Sequence, residues 1–235
     1  AQAKSALHQL LGTLGDADRF RLIKFSSASN PWRDDWTRST PAELRAAARW
    51  VDGLRAEGGT NIADALRDAF DATSAANRLS VVVFMTDGLP SVGEQNPERI
   101  ATIAERDAGR TRVFAFGVGQ DVNTYLLDRL GAAGRGSAQY VQPGESVETA
   151  LGSLATKIQF PVLTDLMLNA TGVTLREVYP TTLPDLFAGE DLVVFGRYRG
   201  ITTRGGNGVV IINGRRSGKV ERYTTRVSFA GRDNG

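Results

Sequence analysis

The amino-acid sequence predicts an α/β fold, with a doubly wound, mostly parallel sheet over residues 1–158 and a smaller β-rich, sandwich-like domain over residues 159–235. Three observations carry this expectation. Val81, Val82, Val83, Phe84 and Met85 form an unbroken apolar run rich in β-branched residues, the pattern of a strand buried on both faces of a parallel sheet. From residue 80 to residue 158 strand patterns alternate with helical ones, which places helices on both faces of that sheet. Beyond Phe160-Pro161 helical periodicity stops and short alternating runs replace it.

In chain order, Leu7, Leu10, Leu11 and Leu14 recur at helical spacing from the first residues onward, with His8, the only histidine, beside the stripe. A lone histidine is usually a packing or surface residue. Phe20, Leu22 and Ile23 to Phe25 suggest one strand. Residues 27–40 read as an edge strand or a long loop, where Trp32 and Trp36 either form a recognition surface or cover the edge of the core. Thr40, Pro41 and Glu43 make a helix-start signature, followed by the stripe Leu44, Ala47, Val51 and Leu54, and the helix is expected to end at Glu57-Gly58-Gly59. A second helix begins after Thr60-Asn61, with Ile62, Leu66 and Phe70 on one face.

After the strand at 80–86, helices are expected at 97–107, 121–130 and 145–158 and strands at 111–118 and 138–141. In the second domain strands are expected near 162–168, 173–179, 192–199, 208–213 and 219–229, with turn signals at Gly205 to Gly208 and at Asn213-Gly214.

Composition removes several classes of function. The chain has 235 residues, no cysteine and a formal net charge of +2, so disulfides, thiolate metal sites and cysteine nucleophiles are excluded. Residues 1–159 carry 18 basic and 19 acidic side chains and residues 160–235 carry 10 and 7, and neither part shows the dense basic stripe that nucleic acid requires. No apolar run approaches membrane-spanning length. No phosphate-binding glycine loop, nucleophile elbow or histidine-rich metal motif is present. What remains is hard oxygen chemistry. Thr60 and Asp87 each sit on a loop at the expected carboxyl edge of the sheet, where open α/β sheets place ligands, and hydroxyl and carboxylate oxygens suit magnesium, manganese or calcium. Each has a plainer reading: Asp87-Gly88 as a simple turn, and Gly58-Gly59-Thr60-Asn61 as a helix connection.

The segments AQAKSALHQLLGTLGDADRFRLIKFSS, GGTNIADAL, VVVFMTDGLPS and RVFAFGVG, in this order and closed by an amphipathic helix, resemble a von Willebrand factor type A domain, a Rossmann-like fold, over residues 1 to about 158. Glu177-Val178-Tyr179-Pro180, Pro184 to Gly189 and Gly196-Arg197-Tyr198 resemble the β-rich region that follows this domain in inter-alpha-trypsin inhibitor heavy chains and their bacterial relatives. The resemblance implies a non-enzymatic module that binds a protein partner's carboxylate through a divalent cation, with an extracellular or cell-surface location. Thr60 would hold the metal directly, and Asp87 directly or through water, while Asn61, Gly88, Leu89, Pro90 and Ser91 would shape the partner-binding rim. A structural or assembly module without metal use, and a subunit of a metal-dependent enzyme, are the alternatives.

The family's Asp-x-Ser-x-Ser motif, which follows its first and central strand, is absent from these residues. The expectation is therefore an incomplete cation site and a sheet completed by an N-terminal segment or another polypeptide. Such a strand would contribute about 7–15 kcal/mol through about five buried side chains.

Overall fold

The computed structural model describes residues 2–71, 78–142, 145–147, 149–152, 161–187, 191–199, 207–216 and 219–228. The chain divides into two compact units, Ala1–Gln159 and Phe160–Gly235. The first opens with helix α1 (Gln2–Gly12), which buries Ala6 and Leu11. His8 is half-buried, with Nε2 2.8 Å from an Asp52 carboxylate oxygen.

The single strand expected from Phe20 to Phe25 is two strands. β1 (Arg19–Phe20) and β2 (Ile23–Phe25) separate because each finds a different antiparallel partner: β3 (Ser29–Pro31) pairs with β2, and β4 (Thr37–Arg38) pairs with β1. Trp32 stacks on Phe20 with ring centroids 5.9 Å apart and packs near Trp50, so it covers a core layer shared with Leu11, Ala47 and Val51.

Helix α2 (Pro41–Gly53) starts as its signature requires, with Thr40 Oγ1 accepting from the Glu43 amide. It ends earlier than expected. At Gly53 the chain gives up the helix and Leu54 turns extended, which returns its side chain to the Val51 layer. Helix α3 (Ile62–Asp71) follows the loop through Gly58 to Asn61.

β5 (Val81–Thr86), β6 (Arg112–Val118) and β7 (Ser137–Val141) form a three-stranded parallel sheet in the order β5-β6-β7, with helix α4 (Pro97–Asp107) between the first two and helix α5 (Thr124–Ala133) between the last two. Asn96 and Asn123 cap these helices, and the Asn123 side chain, accepting from Leu126 N, starts α5 later than the apolar spacing suggested. Alternation divides the sheet into two faces. Val82, Phe84, Val113 and Ala115 join Leu66, Ile100, Leu126 and Leu130 in one core, while Phe114 and Phe116 are buried on the opposite face. Residues 147 and 149–152 are helical, and the remainder of the helix expected to reach residue 158 lies outside the described residues.

β5 departs from the double burial that its sequence suggests. Val81, Val83 and Met85 are only half-buried, because among the described residues β5 pairs with β6 alone. Among the described residues β2 likewise pairs only with β3, and Phe25 meets Phe84 of β5 by ring stacking at 5.3 Å rather than through a shared ladder.

In the second unit β8 (Pro161–Thr171), β9 (Thr174–Tyr179), β10 (Leu186–Phe187), β11 (Phe195–Arg199), β12 (Asn207–Arg216) and β13 (Lys219–Ser228) form a four-stranded sheet in the order β10-β8-β12-β13 and a separate ribbon, β9-β11. Asn213-Gly214, expected as a turn, lies inside β12. The register against β8 shifts there, and a Cβ on Gly214 would stand 2.5 Å from Leu163 Cγ, so the glycine marks a close approach at a bulge. Of the other turn signal, Gly205 and Gly206 lie outside the described residues and Asn207-Gly208 begin β12. Among the described residues, no helix is long and apolar enough to cross a membrane.

Leu126, fully buried in the first core, is expected to lose about 2–5 kcal/mol of stability on replacement by alanine. The exposed Leu89 is expected to lose no more than about 0.5 kcal/mol. Urea midpoints followed by far-ultraviolet circular dichroism test the difference, and equal midpoints would place Leu126 outside the core.

Candidate functional site

Three loops meet where β2 and β5 end and α3 begins, and the sequence supplies each with short hydrogen-bonding side chains. Ser27, after β2, accepts through its hydroxyl from the Gly59 amide at 3.1 Å. The Asn61 amide donates to the Ser26 carbonyl at 2.7 Å, and Asn61 Nδ2 donates to the Ser27 carbonyl at 3.3 Å. From the loop after β5, Ser91 Oγ accepts from the Thr60 amide at 2.9 Å, while the Ser91 and Val92 amides both donate to the Thr60 carbonyl. Thr60 is thus held through its backbone on both sides, which leaves its side chain to be aimed.

Close approach makes this clasp dependent on glycine at two places. A Cβ on Gly59 would stand 2.4 Å from Val92 Cγ2. Gly93 has φ of 69° and a Cβ there would be 2.7 Å from Asn61 Oδ1, so both backbone conformation and space favour glycine.

Thr60 Oγ1 is only 3.4 Å from where a Cβ on Gly88 would lie, so the hydroxyl stands against the Asp87-Gly88 turn. That turn is pinned from below by Thr86, buried at the end of β5, whose Oγ1 is 3.3 Å from the Gly88 amide. Asp87 is exposed. Neither its carboxylate nor the Thr60 hydroxyl has a hydrogen-bond or ion-pair partner among the described residues. Further along the loop, the Asn96 amide, with Arg99 assisting, holds the Glu94 carboxyl below the usual carboxylate range.

The remaining residues divide. Leu89 is 53% exposed and, with Ser91, stands on the surface, while Gly88 and Pro90 are half-buried. Asn61 is a correction to the expected rim. It is 4% exposed, accepts from the Asp64 amide through Oδ1 and donates to the Asp64 carboxylate at 2.7 Å, so it caps α3 and supports the clasp from within. Ser26, Ser27 and Thr86 are contributors that sequence reasoning missed, although a serine pair following a short strand was a visible signal.

Two hard oxygen donors fit a magnesium-, manganese- or calcium-type ion in kind, but they supply two of the roughly six positions that such an ion takes. Among the described residues, no cluster of three or more His, Asp or Glu side chains stands in their place.

The von Willebrand factor type A domain family matches residues 1–140. Human inter-alpha-trypsin inhibitor heavy chain H4 is 29% identical over 205 residues, which cover 83% of this chain and 22% of that protein, so the chain spans about a fifth of this relative's length. Among solved structures, a von Willebrand factor type A protein from Catenulispora acidiphila superposes over 97% of this chain and 61% of its own, with TM-score 0.75 and 18% identity. Proximal thread matrix protein 1 from the mussel byssus, described with a zinc-occupied MIDAS motif, covers 66% of this chain and 39% of its own, with TM-score 0.51 and 15% identity. At these identities the two structures speak to the fold alone.

Replacing Asn61 with alanine is expected to cost about 0.5–2 kcal/mol through loss of the α3 cap. A urea midpoint unchanged from the parent chain would show that the cap carries no stability.

Proposed function

We propose, from the premise that the chain belongs to the von Willebrand factor type A domain family, that its first unit is a non-enzymatic protein-binding module in which a divalent cation receives a partner's carboxylate. The observation that carries this is the pair of unengaged oxygen donors, Thr60 Oγ1 and the Asp87 carboxylate, on loops that the Ser27, Asn61 and Ser91 hydrogen bonds lock together. Such preorganisation lowers the cost of gathering ligands around an ion. When bound, the cation supplies a positive charge with an open coordination position; the residues of this chain hold it and shape its surroundings. Leu89 and Ser91, both exposed, provide the rim, and an extracellular or cell-surface setting is part of the same reading.

β5 is a β-branched apolar strand with one edge unpaired among the described residues and one face half-buried, a combination that leaves backbone donors and acceptors without ladder partners. We propose that an extended apolar segment, from the same polypeptide or another, pairs there and brings further oxygen ligands to the cation. The β-rich second unit serves as a docking element.

Thr60→Ala and Asp87→Ala, in a protein carrying the completing strand, are expected to abolish cation-dependent partner binding measured by surface plasmon resonance. Binding that persists in EDTA would sink the cation reading. Association that survives both substitutions would favour an assembly role for the fold instead.

Hydrogen exchange tests the companion strand separately. Amides of β5 that point away from β6 are expected to exchange rapidly in this chain and to slow by about a hundredfold, or roughly 2.7 kcal/mol, when the segment is bound. Equal protection with and without the segment would remove it.

A further inference from the structure

The β9-β11 ribbon joins two of the motifs that the sequence singled out, Glu177-Val178-Tyr179-Pro180 and Gly196-Arg197-Tyr198, and the cation site uses neither. Its register decides what they present. Arg197 is opposite Arg176, Arg199 is opposite Thr174, and Phe195 is opposite Tyr179, with a register shift between Phe195 and Arg197. The shift inserts one extra residue into β9 at Glu177, whose φ is 48°. Without it, Arg176 and Tyr179, three positions apart, would point to opposite faces. With it they share the face that carries Phe195, Arg197 and Arg199.

This face combines two aromatic rings, Tyr179 at 70% and Phe195 at 69% exposure, with three guanidinium groups. Arg197 pairs with Glu177 at 3.0 Å, both side chains being exposed. Arg176 and Arg199 have no ion-pair partner among the described residues. Three cations against one carboxylate leave a local excess of +2. Like charges directly opposite across a ribbon are destabilising, and rings this exposed bury little area, so this surface adds little to folding beyond one cross-strand aromatic pair.

We propose that this face binds an extended acidic peptide segment of a protein partner, with carboxylates on Arg176, Arg197 and Arg199 and an apolar side chain against Tyr179 and Phe195. Guanidinium forks match carboxylates in two-point geometry. Phe195, Arg197 and Arg199 recur every second residue, about 6.6 Å apart, which is the spacing of alternate side chains along an extended peptide. The face is about 13 Å long and part aromatic, which suits a short segment with one apolar anchor better than a long polyanion, whose affinity scales with the number of charges it neutralises.

The test is fluorescence anisotropy with the full chain and a labelled peptide in which glutamate and serine alternate and one end carries leucine. Expected are binding that weakens with salt, no binding when glutamine replaces glutamate, and affinity reduced about tenfold in Arg176→Gln and in Phe195→Ser. Arg176→Gln is also expected to keep or raise the melting temperature, which separates lost binding from lost folding. The proposal is overturned if the glutamate peptide does not bind, if the glutamine peptide binds equally well, or if the variants bind like the parent. It is also overturned if a heparin oligosaccharide binds more tightly than the peptide, or if EDTA or Asp87→Ala removes peptide binding, which would place the peptide at the cation site.

Discussion

A parallel strand cannot satisfy its backbone alone, and β6 is where the first unit meets that demand. It pairs with β5 on one edge and β7 on the other, and both of its faces are buried. The chain after α5 is drawn onto the same strand: the Val113 amide donates to the Gly134 carbonyl, and a Cβ on Gly136 would fall 2.2 Å from the Val113 carbonyl oxygen. β5 is therefore anchored along one whole edge, and this fixes where its carboxyl end, and with it Asp87, emerges. The site's position is a property of a strand that contributes no site residue.

What the sequence reveals follows the range of the interactions involved. The start of α2 is readable because Thr40, Pro41 and Glu43 act on one another within a turn. The core stripe of α3 is readable because Ile62 and Leu66 obey a local period. The division of the first strand into β1 and β2 is not readable, since it depends on the choice of Thr37-Arg38 and Ser29 to Pro31 as partners. Gly214 misleads for the same reason: a glycine after asparagine signals a turn locally, yet Leu163 across the sheet decides its role.

The candidate site divides along the same line. Thr60 and Asp87 stand out as oxygen donors at expected loop positions, and the resemblance gives them a role. The clasp that aims Thr60 joins Ser27 to Gly59 across 32 residues of chain, which no local pattern encodes. Asn61 has the composition of a rim residue and the burial of a cap, a difference that only its contacts with Asp64 and Ser27 reveal. The arginine-aromatic face of the second unit forms no basic stripe along the sequence, because two strands and one bulge assemble it.

The layer that Trp32 covers has an optical consequence. All three tryptophans, Trp32, Trp36 and Trp50, fall between β3 and the end of α2, and the second unit has none. Indole emission therefore reports the α1-α2 layer of the first unit, where Trp32 lies against Phe20 and beneath the Arg33 guanidinium. Events in the β-rich unit are visible only through its tyrosines. Tyr125 and Tyr140 lie in the first unit and Tyr179, Tyr198 and Tyr223 in the second, so tryptophan emission follows the first unit alone while tyrosine emission follows both.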